Sequence, residues 1–271
     1  MNKQILQIRL LKAHIKSKPL LYKSFNFSYC TQKYKLDEIL KEIIYIMKTG
    51  ISYRNLRSPI KWQTVYKVYR KLVSNKVFEY TYAQLLRKYL KRGGLNKKLK
   101  YISTDTTFIM NKNGQQKVGL NKYYYKKKGS KLSLIIDSKG VPLDMDIFKG
   151  GKNDGKILEY HLEKETIINN QYYDDHKKYF MADSMYDSKI IHEKLKGLKF
   201  EPLIEQNKRG IKNKQLIRRF NKKDYKIYCK RSKVENVICR LKQLRRINIR
   251  YDALLSTYKS YVYLAMINTY C

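Results

Sequence analysis

Apolar residues recur every three or four positions in three stretches of the first third of the chain. This spacing places them on one face of an α-helix and predicts three amphipathic helices. Gly50 follows the first stretch and is typical of a residue that closes a helix. The three apolar stripes are Leu36, Ile39, Leu40, Ile43, Ile44 and Met47; Trp62, Val65, Tyr66, Tyr69, Leu72 and Val73; and Tyr82, Leu85, Leu86 and Tyr89 within 78–90.

The second predicted helix is basic on the side opposite its apolar stripe. Three short helices with a basic middle one resemble a helix-turn-helix DNA reader, in which Lys67 and Arg70 contact DNA. The link from Met47 to Trp62 is much longer than the three- or four-residue turn of that motif. A plain three-helix packing domain with a solvated basic face is therefore the alternative.

The pattern changes to strands after Lys91-Arg92-Gly93-Gly94, which we take as a domain boundary. Three strands, two of them joined by the turn Ser138-Lys139-Gly140, are followed by alternating helices and strands. This order predicts an α/β, ribonuclease-H-like catalytic domain over residues 96–271. It follows a small all-α DNA-binding domain over 34–95 and a basic, weakly patterned segment over 1–33. The predicted elements are strands 100–110, 131–137 and 141–148, helix 154–165, strand 179–183, helix 188–195, strand 200–204, irregular segment 207–223, and helices 228–242 and 253–269.

The charge of the chain points to a polyanionic partner. Lys and Arg number 60 against 22 Asp and Glu, for a net charge of +38. A chain this basic repels itself unless a polyanion is nearby, so nucleic acid is the first partner to consider. The abundance of Lys, Asn, Ile and Tyr also indicates AT-rich coding sequence, which accounts for part of the total. The first acid is Asp37, so the preceding segment is expected to bind phosphate, with an organellar presequence as the alternative.

Several classes of protein are disfavoured by composition. The four cysteines are scattered and form no CxxC pair, which argues against a zinc site or a disulfide framework and favours a reducing compartment. The four histidines show no ligand spacing. We see no apolar run of membrane-spanning length and no secretory signal.

The scarce acids stand at informative positions. Asp105 interrupts the first predicted strand, Asp183 ends the fourth, and Glu235 lies on the long late helix. In a ribonuclease-H-like sheet the first and fourth strands are neighbours whose ends face that helix. Three carboxylates there suit two Mg²⁺ ions about 3.5–4 Å apart. Each acid alone has a structural alternative: a turn former, a helix cap and a surface charge, respectively.

One face of the late helix carries Tyr228, Arg231, Glu235 and Lys242. At about 100° per residue these four side chains fall within roughly 60° of arc, beside the apolar stripe. A carboxylate flanked by cations suits a metal ligand beside a DNA backbone. The alternative is a solvated face with an Arg231–Glu235 pair worth about 0.3–0.5 kcal/mol.

The spacing Tyr228-x2-Arg231-x3-Glu235-x6-Lys242 resembles the tyrosine-arginine-glutamate-lysine signature of bacterial insertion-sequence DDE transposases, of the insertion-sequence-five/four type. The similarity spans about residues 34–270. Its N-terminal part is Gly50-Ile51-Ser52-Tyr53-Arg54-Asn55-Leu56, with Tyr53 where that group usually has tryptophan, followed by Trp62-x-Thr64-Val65-Tyr66. Further matching motifs are Lys128-Gly129-x-Lys131, Asp137-x2-Gly140-x-Pro142, Ala182-Asp183-x2-Tyr186-Asp187, Leu241-Lys242-x3-Arg246 and Arg250-Tyr251-Asp252.

This resemblance implies a transposase that hydrolyses phosphodiesters at element ends and joins the freed 3′-hydroxyls to target DNA. It implies that Asp105, Asp183 and Glu235 bind two Mg²⁺ ions, for which Mn²⁺ can substitute. The implied partners are the terminal inverted repeats and target DNA, bound by a homodimer in the nucleoid or another host DNA compartment. The expected DNA-binding residues are Tyr228, Arg231, Lys242, Lys128, Lys131, Arg246, Arg250, Lys67 and Arg70.

Two other functions remain open at this point. The first is a domesticated, transposase-derived DNA-binding protein without transposition. The second is a metal-dependent nuclease that does not join strands. Product analysis distinguishes all three, because a binder makes no cuts and a nuclease makes no joined product.

Overall fold

The computed structural model describes residues 3–17, 34–92, 101–122, 126–164, 178–209 and 219–270. Most of the predicted basic N-terminal segment, the boundary at Gly93-Gly94 and much of the irregular segment 207–223 lie outside these ranges. The chain forms two compact units. The helical unit comprises Met1–Lys88, Ile109–Gln116 and Arg240–Cys271, and the sheet unit comprises Tyr89–Phe108 and Lys117–Cys239.

The elements follow the predicted order, with additional elements at 3–16, 119–121, 222–228, 245–248 and 249–250. Short 3₁₀ turns occur at Tyr53–Asn55, Ser184–Tyr186, Cys229–Arg231 and Asn268–Tyr270. The helices and strands are α1 Lys3–Lys16, α2 Leu36–Thr49, α3 Trp62–Ser74, α4 Val77–Lys91, β1 Tyr101–Asn111, β2 Gly119–Asn121, β3 Lys127–Ile136, β4 Pro142–Lys149, α5 Asp154–Glu163, β5 Lys178–Ala182, α6 Lys189–Gly197, β6 Phe200–Ile204, α7 Lys222–Tyr228, α8 Ser232–Lys242, α9 Arg245–Asn248, β7 Ile249–Arg250 and α10 Leu255–Ile267.

The end of α2 shows why the predicted helix stops where it does. Gly50 has φ +70°, a left-handed conformation that glycine adopts without steric cost. Its N–H donates to the carbonyl of Ile46 at 2.9 Å, which satisfies one of the last helix carbonyls. A Cβ atom at this position would lie 2.9 Å from the Cβ of Arg245, so the close approach of that residue also favours glycine.

The start of the chain is more ordered than its sequence pattern indicated. Residues 3–16 form α1, in which Ile8, Leu11 and Ile15 are buried. The side chain of Gln7 donates to the carbonyl of Leu264 at 2.5 Å within the helical unit. The apolar residues of this part of the segment therefore pack into the core, while the expected binding of phosphate by the basic segment stays a prediction.

The C-terminal helix belongs to the core of the helical unit. The ring of Tyr261 on α10 stacks on that of Tyr69 on α3 with centroids 4.5 Å apart. The hydroxyl of Tyr69 also donates to the carbonyl of Thr257 at 2.6 Å. The expected single catalytic domain over 96–271 thus differs from the division that the structure shows, because the apolar and aromatic residues of α10 bury themselves against helices from the start of the chain.

In the sheet, β1 and β5, which are the first and fourth predicted strands, are neighbours as expected. Along the path β2-β3-β1-β5-β6 neighbouring strands are hydrogen-bonded, and β4 pairs with β3. Strands β3 and β4 form the predicted antiparallel hairpin, while β5 runs parallel to β1 and to β6. At the hairpin turn Gly140 has φ +83°, and Asp137 Oδ1 accepts hydrogen bonds from the N–H groups of Lys139 and Val141. In the described part of the chain no helix is long and apolar enough to cross a membrane.

Candidate active site

The parallel pairing of β1 and β5 brings two of the predicted carboxylates to neighbouring positions. Ser103 of β1 pairs with Met181 of β5. Asp105 and Asp183 each follow this pair by two residues. Because residues two apart lie on the same side of a strand, the register directs both side chains to the same region of the sheet.

Asp105 is a largely buried carboxyl group in the middle of β1. Its Oδ1 accepts the N–H of Thr106 at 2.8 Å. Burial raises the pKa of Asp105 to about 7, and the charges of Asp183 and Glu235 raise it as well. The Thr106 hydrogen bond and the Arg231 charge lower it, but they do not offset the burial. This carboxyl group therefore lacks full compensation for its negative charge.

Asp183 follows β5 and caps the 3₁₀ turn 184–186. Its Oδ1 accepts the N–H of Met185 at 2.8 Å, so the capping role that the sequence offered as an alternative is real. Burial raises the pKa of Asp183, the charges of Asp154 and Glu235 raise it further, and Met185 and Arg231 act to lower it. A capping role alone does not explain why this carboxylate lies among other acids that make its negative charge less favourable.

The predicted continuous helix 228–242 is wrong in one detail. Helix α7 ends at Tyr228, a 3₁₀ turn covers Cys229–Arg231, and α8 begins at Ser232. Glu235 lies in the first turn of α8 with its side chain half exposed, and Oε1 lies 2.7 Å from Nη2 of Arg231. The i,i+4 pair weighed as the alternative is thus present.

Arg231 does more than pair with Glu235. Burial acts to lower the pKa of Arg231, but Tyr228, Glu235, Asp105 and Asp183 together raise it above its ordinary value. The guanidinium lies 5.9 Å from the ring centroid of Tyr228, whose side chain is buried beside the core residues Tyr101, Met181 and Leu203. Burial, with a contribution from Glu205, raises the pKa of Tyr228 to about 12. The buried tyrosine therefore provides a packed support for an arginine that faces the carboxylates.

The arrangement fits a divalent cation in part. Among the described residues no three His, Cys, Asp or Glu side chains are close enough to hold one metal ion. Asp105 and Asp183 have the oxygen donors and the unneutralised charge that Mg²⁺ and Mn²⁺ prefer. Glu235 is paired with Arg231 through Oε1, and in this arrangement it does not form a three-carboxylate group with the two aspartates.

The remaining predicted DNA-binding residues divide into exposed and buried side chains. Lys67 and Arg70 on α3 and Lys128 on β3 are exposed, as a backbone-binding cation must be. Lys242 is half-buried at the last residue of α8.

Two predicted DNA contacts are contradicted by burial. Arg250 is fully buried, and its guanidinium donates to the carbonyls of Gln116, Asp252 and Ala253. Arg246 is buried in a two-bond pair with the carboxylate of Asp252 at 3.0 and 3.1 Å.

Lys131 is a further predicted DNA contact, and the structure places it in internal bonds. Its side chain is 13% exposed, and Nζ lies 2.7 Å from Oδ1 of Asp154 and 3.0 Å from the carbonyl oxygen of Lys152. These internal bonds use the cation within the protein. Lys131 belongs to the motif Lys128-Gly129-x-Lys131, and in the structure its side chain binds groups of the protein itself.

Asp154 is a residue near the site that sequence analysis did not include. The sequence pattern predicts it only as the first residue of the helix 154–165, and it is indeed the first residue of α5 after the cap Asn153. Its position after the glycine pair 150–151 gave no signal of proximity to Asp105 and Asp183. Only the tertiary fold brings the start of α5 to these strands.

Comparisons with known proteins bear on the family and the fold of the chain. A family model described as a transposase DDE domain matches residues 98–266. No protein with a curated description matches the chain. A piggyBac transposase synaptic complex with hairpin DNA is similar over 99% of this chain and 73% of that chain, at 10% identity and a TM-score of 0.59. The chain is also similar to the catalytic domain of Mos1 mariner transposase, over 61% of this chain and 89% of that chain, at 11% identity and a TM-score of 0.28. The predicted α/β class, with a ribonuclease-H-like catalytic fold and a helical region before it, is confirmed.

Proposed function

Because the chain belongs to the transposase DDE-domain family, we propose that it is a transposase of the insertion-sequence-five/four type, which cleaves the ends of its element and joins them to target DNA. The observation that carries this proposal is the parallel pairing of β1, which contains Asp105, with β5, which Asp183 follows directly. Arg231 and Glu235 act on both aspartates electrostatically. The signature spacing from Tyr228 to Lys242 supports the choice of type.

Asp105, Asp183 and Glu235 are the residues that we assign to metal binding. The two aspartates present the uncompensated charge, and Glu235 joins them after it separates from Arg231. We propose two ions, Mg²⁺ with Mn²⁺ as a substitute. Bound divalent ions activate a water molecule or a 3′-hydroxyl and stabilise the leaving oxygen.

Arg231 has two partners in this proposal. Without DNA it neutralises part of the charge of the carboxylates, as its bond to Glu235 shows. With DNA its planar guanidinium is suited to a backbone phosphate, which it binds through paired hydrogen bonds. Tyr228 supports the guanidinium and so contributes to DNA binding from beneath it.

The helical unit carries a groove suited to the DNA backbone. Arg70, Lys76 and Lys259 line it together with Glu79, and the cations outnumber this one acid. The serines 74, 256 and 260 add hydroxyl donors to the same lining. We assign Lys67, Arg70, Lys128 and Lys242 to phosphate contacts, with residues 36–90 recognising the terminal inverted repeats.

End pairing in such a reaction requires two active sites, so we propose a homodimer on DNA. Its place of action is the compartment that holds the host DNA, which is the nucleoid in a bacterium.

The test uses the full chain and DNA that carries the flanking sequences of its own gene. Wild type, Asp105→Asn and the control Glu163→Gln are compared with Mg²⁺ or EDTA. Glu163 is an exposed carboxylate paired with Lys194 on α6, so its loss is a matched change of charge. We expect metal-dependent breaks at fixed positions and joined products from wild type and the control only. Binding without breaks would indicate a retired DNA binder, and breaks without joining a nuclease; either result contradicts the proposal.

A further inference from the structure

A fourth carboxylate, Asp154, is tied to the strand that carries Asp105. Asp154 Oδ1 accepts a hydrogen bond from the hydroxyl of Thr106 on β1 at 2.7 Å and one from Lys131 Nζ on β3 at 2.7 Å. Its side chain is 16% exposed and that of Lys131 is 13% exposed. One carboxylate therefore connects the start of α5 to two strands of the sheet, through bonds that are largely shielded from water.

Thr106 links this carboxylate directly to the candidate metal ligand. The N–H of Thr106 donates to Asp105 at 2.8 Å, while its hydroxyl donates to Asp154 at 2.7 Å. A shift of Asp154 therefore acts on the same residue that orients Asp105. The orientation of the Asp105 carboxyl group therefore depends in part on the hydrogen bond between Thr106 and Asp154.

Asp154 also contributes charge to the site. Its negative charge adds to the burial that raises the pKa of Asp183. The buried hydroxyl of Tyr186 is under the combined influence of Asp105, Asp154 and Asp183, each of which adds to the effect of burial in raising its pKa. Asp154 is thus close enough to alter the charge that an incoming cation meets.

The acids around the candidate metal site outnumber the neighbouring cations, and a bound divalent cation can neutralise the excess. Asp105, Asp154, Asp183 and Glu235 supply four negative charges when ionised. Arg231 pairs with Glu235, and Lys131 pairs with Asp154. The remaining charge of two is carried by Asp105 and Asp183.

We propose that Asp154 is a positioning residue for the candidate metal site, and that its pair with Lys131 sets the affinity of that site for divalent cations. This inference rests on the proposed function. Asp154 acts through Thr106 on the orientation of Asp105, and Lys131 cancels the charge that Asp154 would otherwise add to the site.

The two members of the pair have opposite electrostatic effects on a bound cation. Asp154→Asn removes a negative charge and keeps an oxygen acceptor for Thr106, so it weakens cation binding. Lys131→Met removes a positive charge and leaves Asp154 uncompensated, so it strengthens cation binding. A single charge near a divalent ion at this depth changes the dissociation constant by about three- to tenfold. Damage to the fold alone would weaken binding in both variants.

The experiment measures Mn²⁺ binding to the full chain at pH 8 by electron paramagnetic resonance of the free ion. Wild type, Asp154→Asn, Lys131→Met, Lys131→Arg and Asp105→Asn are compared, with circular dichroism to verify folding. A matched control pair is Asp144→Asn and Lys164→Met, which breaks an ion pair of 3.1 Å elsewhere in the sheet unit. We expect weaker binding in Asp154→Asn, tighter binding in Lys131→Met, wild-type binding in Lys131→Arg and unchanged binding in the control pair.

The outcomes separate this inference from the proposed function. The inference is overturned if the affinity for Mn²⁺ shifts in the same direction in Asp154→Asn and Lys131→Met, or if it shifts in neither. If Asp105→Asn still loses the ion in that case, the proposed site stands without it. If wild type and Asp105→Asn bind Mn²⁺ alike, the proposed site itself is overturned.

Discussion

Arginine meets carboxylate in both units of the molecule, with opposite balances of charge. In the helical unit Arg246 and Asp252 form a buried pair with two bonds of 3.0 and 3.1 Å, and the two charges cancel. In the sheet unit Arg231 bonds to Glu235, while the charges of Asp105 and Asp183 also act on it. One cation there stands against three acids.

This difference separates a structural ion pair from a site prepared for a ligand. Burial acts to lower the pKa of Arg246, but the charge and hydrogen bonds of Asp252 raise it above its ordinary value, as suits a cation whose charge is used inside the fold. In the sheet unit burial raises the pKa of Asp105 to about 7, which is costly unless another cation arrives. A buried carboxyl group whose charge is not fully compensated therefore indicates a functional site better than the mere presence of charged residues.

The largest expected effect on stability comes from breaking the balanced pair. Arg246→Met leaves Asp252 buried without its cation and should lower the free energy of unfolding by about 3–5 kcal/mol. Arg231→Met removes a partner of the half-exposed Glu235 and should cost about 1 kcal/mol or less. Urea denaturation of both variants measures the difference. Equal losses would remove the distinction between the two sites.

The next effect is a loss of stability with rising pH, which follows from the raised pKa of Asp105. The pKa of Asp105 rises from 3.8 in the unfolded chain to about 7 in the folded one. Between these values the folded protein holds a proton that the unfolded chain releases, so stability falls as the pH rises from about 4 to 7. The upper limit of this loss is about 4 kcal/mol. Asp105→Asn should remove the loss, so that the variant gains most over wild type at pH 8 in metal-free buffer.

Asp144 provides the matched control with the opposite sign. Burial acts to raise its pKa, but hydrogen bonds and charges from His161 and Lys164 lower it below the ordinary value. Its stabilising contribution is therefore present above the unfolded pKa and is lost as the pH falls through the folded one. Asp144→Asn should be less stable than wild type at neutral pH. A pH profile in which both variants change in the same direction would contradict these assignments.

The smallest expected effect distinguishes exposed cations from internal ones. Lys67 and Lys128 are exposed, so replacing either by alanine should reduce the salt dependence of DNA binding by about one phosphate contact. Lys131 is bound to Asp154, so Lys131→Met should leave that slope unchanged. Fluorescence anisotropy across a series of salt concentrations measures the slopes. A reduced salt dependence in Lys131→Met would show that Lys131 contacts DNA phosphate after all.

Local patterns predicted the elements that position the site. The apolar alternation and the glycine turn at 138–140 gave the hairpin, and the strand 200–204 matches its predicted bounds. The placement of Asp105 and Asp183 followed from the order of elements, since strand order in this fold determines which strand ends meet. These features depend on residue type and spacing, which the sequence contains directly.

Burial of charged residues could not be predicted in the same way. Lys131 and Arg250 lie within motifs of a DNA-binding family, yet Lys131 binds Asp154 and Arg250 binds the distant carbonyl of Gln116. Contacts between residues separated by twenty to more than a hundred positions leave no local pattern. The packing of α1 and of α10 in one unit is a similar long-range result.

The central claim is that Asp105, Asp183 and Glu235 hold divalent cations, and anomalous diffraction from crystals grown with Mn²⁺ tests it most directly. We predict anomalous peaks within about 2.0–2.4 Å of oxygen atoms of Asp105 and Asp183, with Glu235 released from Arg231. The peaks should be absent in Asp183→Asn. Peaks bound only elsewhere, with the Arg231–Glu235 bond intact, would contradict the account.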